Sequence, residues 1–303
     1  MFSKIKPKET LVGTIVLLAV ALVLHFMPWS VMIIACFATL PGIILWYRSI
    51  HSFGLATLIT ILLSTLTGDL FVMTFMIILL ALSAVIAQLL KQRASKEHIL
   101  YVATLVTSII TIGAIMILQG LKQLPYAQVL LEPYQKIVNQ MIEMQNLDQQ
   151  AREVLNNSVH QLAVQLPAMI VVTIAIYLII TLMIIFPILR KFKIATPVFR
   201  PLYLWQMKRS LFIIYAIALL VSVTTEPATT INSIGINFQI VLGFLLVIQG
   251  LSFIHYFTTI KRMPVAVSVI FIVLGIIFYP MTRLIGLLDL GLNLKSMIKN
   301  DKR

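Results

Sequence analysis

Five polar side chains stand out in an otherwise apolar chain, and they define the chemistry to be explained. Asp69 and Glu226 lie in short turns between apolar runs, whereas Gln249, His255 and Asp289 lie within or at the edge of such runs. A polar group at membrane depth is costly unless it is paired or hydrated, so it marks a functional site by default. These five are the predicted ligand-binding residues. The alternatives are solvated turn residues for the first two and hydrogen bonds between the last helices for the other three.

Motifs for covalent or metal chemistry are missing from the sequence. It contains no glycine-rich phosphate loop, no H-E-x-x-H, no C-x-x-C and no G-x-S-x-G. The five histidines are scattered and no two have the spacing of metal ligands: His25, His51, His98, His160 and His255. The sequence therefore predicts a protein that is not an enzyme and that needs no metal or cofactor.

The composition indicates which solvent surrounds these residues. Of 303 residues, 60% are hydrophobic and 11% are charged, against about 25% charged in soluble domains. The apolar runs are continuous rather than alternating, which predicts helices and excludes a membrane barrel. We predict an all-α, polytopic transmembrane helix bundle of about nine or ten segments. The runs are 11–28, 30–47, 52–67, 70–90, 98–121, 167–189, 203–223, 237–257, 264–279 and 281–294.

The last two runs allow two interpretations. Residues 264–294 form either one long tilted helix or a short hairpin broken at Tyr279-Pro280, because proline interrupts a helix. The basic tail after Leu294 favours the hairpin, which would return the C-terminus to the side of the N-terminus.

The charge distribution predicts the orientation. The net charge is +13, which in a soluble protein would suggest nucleic acid as a partner. With the N-terminus inside, however, cytoplasmic segments hold 15 lysines and arginines and external segments between the first eight spans hold 3, as the positive-inside rule requires. We therefore predict a multi-pass protein of the bacterial cytoplasmic membrane, with a cytoplasmic N-terminus, whose partner is the lipid bilayer and not nucleic acid.

One segment divides the chain into three predicted parts. Residues 122–166 are rich in Gln and Asn, which places them outside the bilayer, between a five-helix bundle at 1–121 and a bundle of four or five segments at 167–303. Their apolar residues recur at helical spacing: Tyr134, Ile137, Met141, Met144, Ala151, Leu155 and Leu162. We predict an external hairpin of two amphipathic helices, which caps the bundle, lies on the headgroups or contacts a partner.

Small side chains recur every four residues in the third apolar run. They are Ser52, Ala56, Thr60, Ser64 and Gly68. Such a strip lets a neighbouring helix approach closely, and it predicts packing within the bundle more often than a partner surface.

Three stretches of the second half resemble the YybS-like family, a group of bacterial multi-pass membrane proteins without an assigned activity. They are Arg-Pro-Leu-Tyr-Leu-Trp-Gln-Met at 200–207, Gln-Gly-Leu-Ser-Phe-Ile-His-Tyr-Phe at 249–257 and Gly-Leu-Leu-Asp at 286–289. The residues that follow the last stretch depart from the family pattern, since aromatic residues and an arginine often occur there.

The resemblance implies two functions. The family is distantly similar to the substrate-binding subunits of energy-coupling-factor vitamin transporters, which implies a small-solute-binding or transport subunit that depends on a separate energising partner. It is also similar to the cell-shape protein MreD, which implies the alternative, a non-transporting scaffold in cell-envelope organisation. The first predicts an outward pocket at Asp69 and Glu226, and the second a packed bundle with a free external hairpin.

Overall fold

The computed structural model describes residues 5–125, 131–145, 148–226 and 229–300, and these residues form helices and turns without a strand. Residues 126–130 and 146–147 of the predicted external segment lie outside the described residues. The chain divides into two compact units. The first holds Met1–Leu124 and Thr173–Phe199, and the second holds Pro125–Val172 and Arg200–Arg303. The predicted three-part division followed chain order, whereas contacts group residues 173–199 with the N-terminal helices.

Every predicted apolar run contains an α-helix in the structure. The helices are α1 (Pro7–Phe26), α2 (Val31–Arg48), α3 (Ile50–Thr65), α4 (Leu70–Lys91), α5 (Lys96–Gly120), α6 (Glu132–Gln145), α7 (Gln149–Lys191), α8 (Ser210–Thr224), α9 (Thr230–Ile260), α10 (Val265–Ile277), α11 (Tyr279–Leu292) and α12 (Leu294–Asn300). The all-α polytopic bundle is thereby confirmed.

The helices differ in their capacity to cross a bilayer. By length and hydropathy α1, α4, α5, α7 and α9 are long enough to span, and α10 with α11 adds a sixth if that bent pair counts as one span. The apolar parts of α2, α3 and α8 are 10–17 residues long, shorter than the roughly 20 residues that a perpendicular span needs. Among the described residues, five or six helices are thus long and apolar enough for a full span, fewer than the predicted nine or ten segments.

Several boundaries differ from the prediction. Helix α8 begins at Ser210 and not at 203, and α9 begins at Thr230 and not at 237. Two differences are larger. The second predicted amphipathic helix does not end near 166, because it continues into the next apolar run as α7, a single helix of 43 residues. At 1.5 Å per residue this helix is about 65 Å long, so part of it must project beyond a bilayer core of about 30 Å. At the second of these positions, the chain bends by 104° between α10 and α11. This bend is larger than in one tilted helix and smaller than in a full hairpin. Pro280 stands in the first turn of α11, where its missing N–H breaks no helical hydrogen bond.

The core of the second unit is built around α9. This helix packs against α8, α10, α11 and the turn Leu202–Leu204. Its approach to α11 depends on two glycines, since a Cβ at Gly250 would overlap the carbonyl oxygen of Thr282, and a Cβ at Gly286 would overlap that of Leu246. This close backbone contact sets the distance at which polar side chains of the two helices meet.

Candidate functional site

Two of the predicted residues, Gln249 and Asp289, meet in the middle of the second unit. The Gln249 amide Nε2 donates to Asp289 Oδ2 at 2.5 Å, and Gln249 Oε1 accepts from the backbone N–H of Met207 at 3.0 Å. The other carboxylate oxygen of Asp289 accepts from the backbone N–H of Lys295 at 3.1 Å. Both side chains are 0% exposed, so their polar groups are satisfied by the protein itself, as buried polar groups must be.

A buried lysine extends this network. Lys295 is 8% exposed, and its Nζ donates to the carbonyl of Trp205 at 2.6 Å and to Ser252 Oγ at 2.7 Å. Ser252 Oγ in turn lies 2.6 Å from the carbonyl oxygen of Leu202. Tyr256 donates its hydroxyl to the carbonyl of Lys295 at 3.1 Å. Burial lowers the pKa of the Lys295 ammonium, and the Asp289 carboxylate acts in the opposite direction.

We call Gln249, Ser252, Asp289 and Lys295 the polar lock. It joins the three stretches that carry the family resemblance. Gln249 bonds to Met207 of the first stretch and to Asp289 of the third, and Ser252 bonds to Leu202 of the first. Lys295, just beyond the third stretch, bonds to Asp289 and accepts from Tyr256. The geometry is that of hydrogen bonds between the last helices. A ligand-binding role for Gln249 and Asp289 stays a prediction, and their complete burial gives it no support.

His255 lies on the same helix but outside the lock. Its ring packs edge-on against Tyr203, with centroids 5.3 Å apart, and its Nδ1 is buried without a hydrogen-bond partner in the described part of the chain. It lines a cavity of about 350 Å³ with Thr258, Thr259 and Ser268 among others. Gln249, His255 and Asp289 were predicted to act together. In the structure Gln249 and Asp289 share a hydrogen bond, whereas His255 lines a separate cavity.

Asp69 forms a different kind of site in the first unit. Its Oδ1 caps α4, accepting from the backbone N–H of Phe71 at 2.9 Å and of Val72 at 3.4 Å. Its Oδ2 lies 3.3 Å from Nδ1 of His25. The two side chains are 30% and 34% exposed, so water or a solute reaches both of them.

The Asp69–His25 pair lies at the edge of a large cavity in the same unit. The cavity has a volume of about 750 Å³, within the range of about 300–1,000 Å³ that small-molecule sites occupy. Its polar lining groups are His25, Thr67, Asp69, Thr74, Thr111 and Gln123, and its apolar lining includes Phe71, Phe75, Ile78, Ile115, Leu118 and Leu124. We call it the Asp69 cavity.

A family model described as "Predicted membrane protein (DUF2232)" matches residues 14–290. This chain belongs to that family. The match covers parts of both units and includes Gln249, Ser252 and Asp289 of the polar lock, whereas Lys295 lies beyond its end. The Bacillus subtilis (strain 168) protein "Uncharacterized protein YybS" is 32% identical over 137 residues, which are 44% of this chain and 44% of that relative. The predicted family resemblance is confirmed, whereas similarity to vitamin-transporter subunits and to MreD stays a prediction. No solved structure matches the chain.

The other predicted positions of this DUF2232 chain are placed as follows. Glu226 is exposed, and its backbone carbonyl accepts from Thr229. In the strip of small residues, Ser52, Ala56, Thr60 and Ser64 are buried in α3. Gly68 differs from these four, since it lies beyond the end of α3, is exposed and has φ +66° with open space around it. It serves the turn before Asp69, because glycine adopts a positive φ at the lowest steric cost.

Sequence reasoning missed three polar residues of these sites. Lys295 was assigned to the basic cytoplasmic tail, although it is buried. His25 was noted only for its lack of metal spacing, although it faces Asp69 across 44 residues of sequence. Ser252 lies in the stretch 249–257, where it was not predicted to take part in a site. A usable signal existed for Ser252, because Gln249, Ser252 and Tyr256 follow one another at three and four residues and so share one face of α9.

Proposed function

We propose that this DUF2232 protein binds a small amphipathic solute in the Asp69 cavity, as a non-catalytic membrane subunit. The observation that carries the proposal is the cavity of about 750 Å³ with the partly exposed Asp69–His25 pair in its lining. The sequence has no nucleotide-binding motif, so in this proposal any energy for transport comes from a separate membrane partner. Gln249 and Asp289 then hold the second unit together and take no part in binding.

The lining favours one chemistry of ligand. Apolar and aromatic side chains form most of the cavity wall, which suits a hydrophobic body. Asp69 is the one carboxylate among the described lining residues, and neither lysine nor arginine is among them. A cationic or hydrogen-bond-donating head group is therefore favoured over an anionic one.

The test uses matched probes on the purified full-length chain in detergent. Phenylbutylamine, phenylbutanol and phenylbutanoate share one apolar body and differ in head-group charge. We expect the amine to raise the thermal denaturation midpoint most and the carboxylate least. Ala114→Phe fills the cavity wall and should abolish all shifts, whereas Ile117→Phe, on the exposed face of α5 at 65% exposure, should preserve them. Equal shifts in wild type and Ala114→Phe would refute binding in this cavity.

The orientation belongs to the same proposal. A cytoplasmic N-terminus places the turn at Asp69 and helix α6 on the outer side. Gln145→Cys at the end of α6 should then react with a membrane-impermeant maleimide in intact cells, while Cys36, which is buried, should not. Labelling of position 145 only after permeabilisation would reverse the map.

A scaffold is the second candidate, and one observation favours it. The apolar residues Tyr134, Ile137, Met141 and Met144 of α6 are 46–81% exposed, and their spacing of three and four places them on one helix face. Changing all four to serine should abolish a scaffold function in cells and leave a solute-binding function intact. Ala114→Phe should have the opposite effect, so a cellular phenotype of either variant separates the two candidates.

A further inference from the structure

Arg283 of α11, which forms no salt bridge with a described carboxylate, packs near the middle of α9. Arg283 of α11 packs against α9 at Gly243, where its Cδ is 3.4 Å from the position a Cβ would take. Gly243 is 13 residues from the start of the 31-residue helix α9, and hence about 20 Å along it. The glycine leaves room for the arginine stem to cross the face of α9.

Arg283 lines a small polar cavity. This cavity has a volume of about 310 Å³ and is lined by Gln161, Gln165, Ser222, Ile236, Gln239, Ile240 and Arg283. Neither an aspartate nor a glutamate is among these residues, and no salt bridge joins Arg283 to a carboxylate in the described residues. Its charge therefore lacks an internal counter-ion, which an intramembrane arginine normally requires.

The neighbouring polar groups are three glutamine amides and one serine hydroxyl, and each amide offers an NH₂ donor as well as a carbonyl acceptor. The Gln239 side-chain oxygen accepts from Ser222 at 3.0 Å, which leaves its NH₂ group directed to other partners. The side-chain amides of Gln161 and Gln165 make no hydrogen bond with any described residue. Three amide NH₂ groups thus accompany a guanidinium, which itself carries five N–H donors in a planar fork.

We propose that Arg283, with Gln161, Gln165 and Gln239, forms a binding site for an oxyanion, either a carboxylate or a phosphate. A planar fork that binds two oxygens at once is the geometry that arginine uses for both groups. The cavity volume accommodates the head of such a ligand and not a large body. The shared chemistry comes from two sources, a soluble anion or the phosphate of an anionic lipid. The site lies in a different unit from the Asp69 cavity and is independent of the function proposed there.

The experiment uses the full-length chain in phosphatidylcholine nanodiscs, with thermal stability and native mass spectrometry as readouts. One arm titrates inorganic phosphate, and the other replaces part of the lipid by phosphatidylglycerol. Wild type should be stabilised in at least one arm, and which arm responds identifies the source. Arg283→Gln should weaken the response by roughly tenfold or more, the effect of losing a charged hydrogen-bonding partner. Arg262→Gln, an exposed arginine after α9, and Ala114→Phe should respond like wild type.

Several outcomes overturn the proposal. One is a wild-type protein that responds to neither anion. Another is an Arg283→Gln variant that responds as strongly as wild type, which is the result expected if the arginine only extends to solvent. Should Arg283→Gln fail to fold, the double variant Gln161→Leu with Gln239→Leu keeps the charge and removes two amides. Its response must fall, and an unchanged response again refutes the site.

Discussion

The polar lock of the second unit and the Asp69–His25 pair of the first use similar side chains in opposite ways. Each is built on an aspartate in an apolar helical protein. Asp289 is fully buried and both its carboxylate oxygens accept hydrogen bonds from the protein. One oxygen of Asp69 accepts a hydrogen bond from a helix terminus, and the other lies beside a partly exposed histidine that lines a cavity.

The difference shows that burial and completeness of partners, rather than residue type, separate a structural polar cluster from a candidate binding site. A fully satisfied buried network rigidifies the helices that contribute to it. A partly satisfied, hydrated carboxylate keeps acceptor capacity for a ligand. Substitutions at the lock should therefore reduce stability, and substitutions at the Asp69 cavity should change ligand response with little loss of stability.

The largest expected effect is at the glycine contact beneath the lock. Gly286→Ala places a methyl group against the carbonyl of Leu246, so α9 and α11 must separate and the lock must open. We expect a loss of about 3 kcal/mol or more in unfolding free energy, at the upper end for overpacking, measured by denaturant titration in micelles. The control is Gly113→Ala in α5, where the added Cβ meets open space. An equal loss in both variants would contradict the close-contact explanation.

The next effect is at the carboxylate itself. Asp289→Asn offers one carbonyl oxygen to the two donors from Gln249 and Lys295, so one buried donor loses its partner. That loss lowers the free energy of unfolding by about 1–3 kcal/mol. Because Asp289 is fully buried, we expect a value in the upper half of this range. Glu226→Gln, at an exposed position, should stay within about 0.5 kcal/mol of wild type. A tolerated Asp289→Asn would remove the distinction between the two aspartates.

Larger side chains in the buried strip of α3 should reduce stability by an intermediate amount. Ala56→Leu or Thr60→Leu inserts methyl groups at positions that are 0% exposed, and overpacking of this kind costs about 1–3 kcal/mol. Leu58→Met serves as the control, because Leu58 is 60% exposed on the same helix. Melting of the detergent-solubilised variants at the wild-type temperature would show that the strip does not carry a tight contact.

The smallest stability effect is expected at Asp69. Asn is as good a helix cap as Asp, so Asp69→Asn should change the unfolding free energy by less than about 1 kcal/mol. The same variant should lose the preference for phenylbutylamine over phenylbutanol, because the negative charge is gone. A large destabilisation with an unchanged preference would make Asp69 a structural residue like Asp289 and erase the comparison.

The fold was predictable where the information is local in sequence. Hydropathy within runs of about 20 residues and the spacing of apolar residues predicted every apolar helix, because in lipid each segment must satisfy its own backbone hydrogen bonds. The break at Tyr279-Pro280 followed from the chemistry of proline. The continuity of α7 was missed, because a change from polar to apolar composition at 166 requires no break in the backbone.

The sites were predictable only in part. The sequence alone determined the class of protein, its membrane-embedded composition and the short list of polar residues that had to be accounted for. It did not determine that Gln249 meets Asp289, 40 positions away, that His25 meets Asp69, or that Arg283 lines a cavity with three glutamines and no carboxylate. Those contacts depend on the rotation and separation of packed helices, which in the second unit Gly250 and Gly286 set through the close backbone approach of α9 and α11. Only the tertiary structure decides which polar groups are sealed together and which remain open to a ligand.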